Sequence, residues 1–296
     1  MKKSIVSLYF FLLLFLPVYA TDDFINYEDS LRTIIEQVPF LENDSQRQQT
    51  GKQFKDYFQK VLSMEGSFDY PFDSLTVVSF LKAPDDKFRI ISWYIPLEDD
   101  RFEYFGFFQI PIPEKEDEFV LFELKDVASE LSQPQYEILK DLNWYGAYYL
   151  ELIHRQHNRE DYYALLGWRG DNPQTRKRVI EPLVLTDSGE PVFGQEVFTY
   201  RNNNHKRVIF EYSSRVSITM NYESQRVEGR RRPEKIIIFD RVAPTHSFLE
   251  GHYQYYVPET NIFDGFAFDD GKWVFIEDID ARVPPRTPPP LPQPPE

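Results

Sequence analysis

The chain has no cysteine among its 296 residues. That excludes disulfides, thiol nucleophiles and cysteine-ligated metals together, and it leaves no acceptor for the lipid that tethers a bacterial lipoprotein. Secreted eukaryotic domains of this size usually carry disulfides, so their absence points towards a bacterial envelope. Positive charge is also scarce. The 33 Lys and Arg against 48 Asp and Glu give a net charge of −15, which becomes −17 once Lys2 and Lys3 are removed. Nucleic acid and anionic membrane both need clustered positive charge, so neither is expected as a partner. The one basic run, Gly229-Arg230-Arg231-Arg232-Pro233, reads as a solvated loop between strands. Beyond the N-terminus no apolar run approaches the roughly 20 residues that cross a bilayer as a helix, so the mature chain is not expected to span a membrane.

What is present begins with a processing signal. Lys2 and Lys3 precede an apolar run at 5–16, and Pro17-Val18-Tyr19-Ala20 supplies small residues for cleavage after Ala20. Residues 1–20 therefore read as a signal peptide, and the protein as exported to the periplasm or the cell surface. At the other end, 284–296 is rich in proline, which blocks ladder hydrogen bonds and fixes an extended backbone. It reads as a disordered tail, a spacer or a docking peptide outside the fold.

Between these ends the hydrophobic period changes once. Leu31, Ile34, Ile35 and Val38, then Phe54, Tyr57, Phe58, Val61 and Leu62, follow helical spacing. Asn43, Asp44 or Ser45 can cap the second helix, making 21–70 a helical segment. From Leu75 the period is 2, and 71–283 reads as a β-rich domain. Strands are expected at 75–81, 88–95, 103–112 and 119–124, with apolar residues on both faces of the third. Ser132-Gln133-Pro134-Gln135 opens a predicted helix carrying Ile138, Leu139 and Leu142. Hairpins are predicted for 147–154 with 161–168, for 207–212 with 216–222, and for 263–268 with 272–276 across Asp269-Asp270-Gly271. Another strand covers 235–239. About ten strands with polar turns argue for a mainly β fold of antiparallel sheets, as a sandwich, barrel or irregular propeller, with short N-terminal helices. No repeat period supports a regular propeller.

Candidate chemistry is thin. The histidines are His154, His157, His205, His246 and His252. His154-x-x-His157 lacks the glutamate of a zinc-protease helix and falls at a predicted hairpin loop across 155–160. His246 and His252 flank Ser247 and Glu250 without a Gly-x-Ser-x-Gly elbow. No catalytic residue, metal or cofactor is expected. Asp278 and Asp280 share one face if the last strand continues. With Asp264 or Asp269 they would form an acidic cluster suited to glycoside hydrolysis or a hard cation, although solvation of a strand end, paired with Arg282, is the plainer reading. Arg169-Gly170-Asp171 reads as part of a turn. The compositional excess is aromatic, 26 Phe, 19 Tyr and 4 Trp. Most of these rings must fill the core, but Tyr162, Tyr163 and Trp168, beside the turn at 167–172, are candidate ligand-stacking residues.

Tyr162-Tyr163-Ala164-Leu165-Leu166-Gly167-Trp168, Pro191-Val192-Phe193-Gly194, the segment 206–212 and Asp270-Gly271-Lys272-Trp273-Val274 together resemble a family of uncharacterised, signal-peptide-bearing envelope proteins of Bacteroidetes-type bacteria. The resemblance spans roughly 88–282. It implies an envelope location and supplies no functional residues. The expected function is that of an exported, non-enzymatic envelope protein that binds a partner protein or glycan or supports an assembly. The alternatives are a secreted glycan-active hydrolase using paired carboxylates, or a carbohydrate-binding module.

Overall fold

The computed structural model describes residues 19–112, 115, 118–201, 203–227, 230 and 232–280. The signal segment before Tyr19, the Pro-rich tail, Arg231 and Arg282 lie outside the described residues.

Helix α1 (Tyr19–Gln37) buries Phe24, Leu31 and Ile35 on one face. A 3-10 turn at Val38–Phe40 leads to α2 (Asp44–Leu62). Its N-cap is Asn43, whose side chain accepts a hydrogen bond from the Gln46 N–H at 3.0 Å, satisfying one of the helix's free donors. The stripe Phe54, Phe58, Val61 and Leu62 is fully buried, as the 3.6-residue period requires.

That stripe lies on the first of three sheets. Strands β1 (Ser79–Lys82), β2 (Arg89–Pro96), β3 (Phe102–Pro111), β4 (Phe119–Asp126) and β5 (Asn143–Trp144) run in that order, antiparallel except for β4 with β5. Alternation sends Ile91, Trp93, Ile95 and Phe107 towards the helices, where the Trp93 ring lies 5.5 Å from Phe54 and 5.7 Å from Phe58. Ile90, Tyr104 and Phe108 face the other way, into a second core. The two-sided burial expected of 103–112 is therefore present. The first strand begins at Ser79 rather than Leu75, because the chain is still turning after Phe72, which has φ 53°.

The second sheet contains β6 (Tyr148–His157), β7 (Glu160–Arg169), β8 (Thr175–Leu185), β9 (Pro191–Phe193) and β12 (Val208–Ser213), in the order β12-β8-β7-β6 with β9 on β8. It is buried on both faces. Tyr163, Leu165, Val179 and Leu183 pack towards the first sheet, and Ala164, Leu166, Ile180 and Phe210 towards the third.

The third sheet contains β10 (Phe198–Tyr200), β11 (Asn203–His205), β13 (Met220–Gln225), β14 (Glu234–Pro244), β15 (Tyr256–Asp269) and β16 (Lys272–Ile279). Its order is β11-β10-β16-β15-β14-β13, with β10 parallel to β16. Helices and sheets thus stack in four layers around three apolar interfaces. The fold is mainly β and mostly antiparallel, in stacked open sheets rather than a barrel. No helix among the described residues is long and apolar enough to cross a membrane.

Three local expectations are corrected. The segment 132–142 forms only a 3-10 turn at Pro134–Tyr136: Glu137 does accept from the Gln133 N–H, but Leu139 is drawn into a bridge with Phe193 and Leu142 has φ 64°. The segments 207–212 and 216–222 are not a hairpin. Strand β12 pairs with β8 and β13 with β14, so the chain crosses from one sheet to the next between them. The polar stretch 155–160 is mostly strand, closed by Asn158 and Arg159, both at positive φ (50° and 68°), as a tight two-residue turn demands. The hairpin at Asp270-Gly271 is present where expected, with φ 49° and 75°.

Candidate functional site

All three sheets contribute to one cleft of about 680 Å³, within the range of small-ligand sites. Phe102 comes from the first sheet, Lys177, Ile209 and Glu211 from the second, and Tyr200 and His205 from the third, while Tyr253 projects from the β14–β15 connection.

Buried Tyr145 and Arg169 also line it. Arg169, at the end of β7, donates from Nε to Asp171 Oδ1 at 2.5 Å and from Nη1 to Asp126 Oδ2 at 2.8 Å. The same Nη1 reaches the carbonyls of Tyr145, at 3.0 Å, and Gly146. The guanidinium lies over the ring of Tyr104, 4.5 Å from its centroid. Gly146 is the residue that allows this approach. At φ 61°, a Cβ there would stand 2.3 Å from Asp126 Cγ and 2.5 Å from Arg169 Nη1. Lys177 on β8 completes the group, with Nζ 2.5 Å from Asp171 Oδ2.

The electrostatics follow from burial and pairing. Burial opposes the charge on Arg169, but Asp126 and Asp171 outweigh it and hold the guanidinium protonated. Burial would lift Asp171 too, yet Arg169 and Lys177 prevail and keep it below the usual carboxylate range. For Asp126 burial wins over Arg169, and its value is raised. Arg169, Lys177, Asp126 and Asp171 form a neutral quartet. Around it, Glu211 accepts from the Thr175 hydroxyl at 2.6 Å, and Arg101 pairs with Asp44 at 2.6 Å. Burial lowers the pKa of His205, which favours the neutral ring, able to donate and accept. The cleft therefore presents ring faces and hydrogen-bonding groups whose charges are largely matched internally.

Next to the cleft is a buried ion pair. Glu181 Oε2 accepts from Arg207 Nε at 2.5 Å, with neither side chain exposed. The Arg207 guanidinium lies 5.2 Å from the Tyr145 ring centroid, and that of Arg169 lies 5.4 Å from it. Two cations thus fix the orientation of one cleft-lining ring.

The residues singled out from sequence do not meet in this cleft. Tyr163 is buried at 4 % exposure and donates to Asp85 Oδ2 at 2.5 Å. Tyr162 points to the other side of β7, its ring 5.3 Å from Phe268. Trp168 is half-buried between Tyr94 and Phe102, so it supports a cleft wall from behind. These three rings do not form an exposed row. Asp278 sits in a bulge of β16 at φ 55°, which breaks the alternation on which its pairing with Asp280 depended. Its carboxylate is 2.8 Å from Arg241, which also holds buried Asp264. Asp280 is exposed at the end of the strand.

Nothing in the sequence singles out Tyr145, Lys177, Tyr200 or Tyr253, and His205 stands there only as one of five histidines with no motif around it. Arg169-Gly170-Asp171 reads there only as a turn, although the tripeptide places an arginine and its carboxylate partner at the cleft. Compared with protein families, curated proteins and solved structures, the chain matches none.

Proposed function

We propose that the protein is an exported, non-enzymatic binding protein of a bacterial cell envelope, which takes a segment of an envelope partner into the cleft between its sheets. The observation that carries this reading is the neutral quartet of Arg169, Lys177, Asp126 and Asp171 at a cleft walled by Phe102, Tyr200 and Tyr253. Carboxylates committed to cations are poor general bases, whereas ring faces with matched polar groups suit recognition without turnover. The signal segment and the absence of cysteine support the location, as does the resemblance to envelope proteins. A glycan is the second reading for the ligand, favoured by the same rings. The Pro-rich tail serves as a spacer.

The test is a pull-down from envelope extracts with the mature protein, the same protein ending at Val283, and a Tyr253→Ala variant. A stoichiometric partner retained by the first two and lost by the third is expected. Retention of polysaccharide instead would transfer the proposal to the glycan. Turnover of an envelope substrate that depends on Asp171 would overturn it.

A further inference from the structure

Outside the cleft, the β6–β7 hairpin brings together residues that are far less ordinary than their sequence context suggests. His154 on β6 and Asp161 on β7 lie close, with Nε2 to Oδ1 at 2.8 Å. Asp85, from the β1–β2 turn of the neighbouring sheet, reaches the same point, its Oδ2 3.8 Å from His154 Nε2. One ligand atom from each of the three lies within 4.8 Å of the other two. A single ion with bonds of about 2.0–2.2 Å to nitrogen and oxygen holds its ligand atoms roughly 3.0–3.6 Å apart, so the 3.8 Å edge would shorten and the 2.8 Å edge open, each by a few tenths of an ångström.

Three further observations point to a cation at its centre. Lys87 Nζ already bridges the two carboxylates, 3.3 Å from Asp85 Oδ2 and in short contact with Asp161 Oδ2. A positive charge is therefore accommodated there, on a side chain that is 49 % exposed and has solvent to retreat into. Asp85 Oδ1 is buried and has no hydrogen-bond partner, a costly state for a carboxylate oxygen and one that ligation relieves. Supporting contacts of the kind that orient metal ligands are in place too. The Tyr163 hydroxyl donates to Asp85, Gln156 Nε2 donates to Asp161 Oδ1 at 3.2 Å, and the Tyr163 ring stacks on the His154 imidazole at 4.8 Å.

We infer that Asp85, His154 and Asp161 form a binding site for a divalent transition-metal cation, which displaces Lys87 and fastens the first sheet to the second. One imidazole with two carboxylates suits zinc or manganese better than the all-oxygen preference of calcium or magnesium. The fastening would do between layers what a disulfide cannot do in a chain without cysteine.

The experiment is titration of ZnCl2 into chelator-treated mature protein, followed by calorimetry and thermal melting. One equivalent should bind, with Tm rising as zinc increases. Lys87→Met should bind at least about tenfold more tightly, because its competitor is gone. Asp161→Asn should lose binding, and Tyr163→Phe should weaken it by about tenfold. MnCl2 should bind more weakly than ZnCl2. Circular dichroism of Lys87→Met should match the wild-type spectrum, which shows that the variant is folded. A folded Lys87→Met protein that takes up no zinc overturns the assignment, as does saturable binding that Asp161→Asn leaves intact.

Discussion

Glu181 and Arg207 illustrate how much a single residue can control. Both side chains are wholly buried, and Glu181 Oε1 and Arg207 Nη2 have no hydrogen-bond partner. Such a pair gains little over well-packed apolar residues, but removing one member strands the other charge in the interior. Arg207→Met is expected to cost about 3–5 kcal/mol in urea unfolding at pH 7, and the double change Glu181→Leu with Arg207→Met should recover most of that loss. Asp171 carries a pH signature. Its folded value is depressed by Arg169 and Lys177, against burial, so its contribution is complete above the unfolded value near about 3.9 and is lost as pH falls through the lower folded value. The stability gap between wild type and Asp171→Asn should therefore be widest near neutrality and close below about pH 4, as urea midpoints at several pH values would show.

Among the elements, β15 and β16 depend on one missing side chain. A Cβ at Gly265 would stand 2.5 Å from the Ile237 carbonyl oxygen and 2.6 Å from Ile279 Cδ1. Gly265→Ala should therefore cost about 1–3 kcal/mol, read from the urea midpoint. The elements that were legible in the sequence are those set by local chemistry. The α2 stripe, the Asn43 cap and the Asp270-Gly271 turn each follow from a few adjacent residues. The elements misread are those settled by distant partners. Ser132 to Gln135 carries a helix-start pattern, yet Phe193 captures Leu139 and the helix never propagates. Ser213-Ser214 reads as a hairpin turn, yet β8 claims one strand and β14 the other. The cleft was illegible for the same reason, since its residues run from Leu97 to Tyr253 and no spacing rule connects them. In the Asp85 cluster, His154 and Asp161 could be paired across their hairpin, but Asp85 arrives from another sheet.

At the scale of the whole molecule, the helices are a structural layer in their own right. They cover Ile91, Trp93, Ile95 and Phe107, each fully or almost fully buried. Deleting 21–62 would expose an aromatic sheet face, a surface that monomeric proteins rarely tolerate. The deletion protein is expected to aggregate or to bind a hydrophobic dye strongly, whereas a stable, non-binding monomer would show that the sheets hold together without them.

The position of β16 has a consequence for the order of events in the life of the chain. It is the last strand described, yet it lies third of six in its sheet, between β10 and β15. Until it arrives, β10 and β11 have no bond to the rest of that sheet, and β15 presents an open edge of unpaired amides. A chain synthesised N-terminus first cannot complete this layer until β16 has emerged. Chains cut short before β16 would lack the centre of a sheet rather than its margin, leaving unpaired edges exposed. The topology thereby acts as a test of completeness, passed only by chains that extend through Ile279.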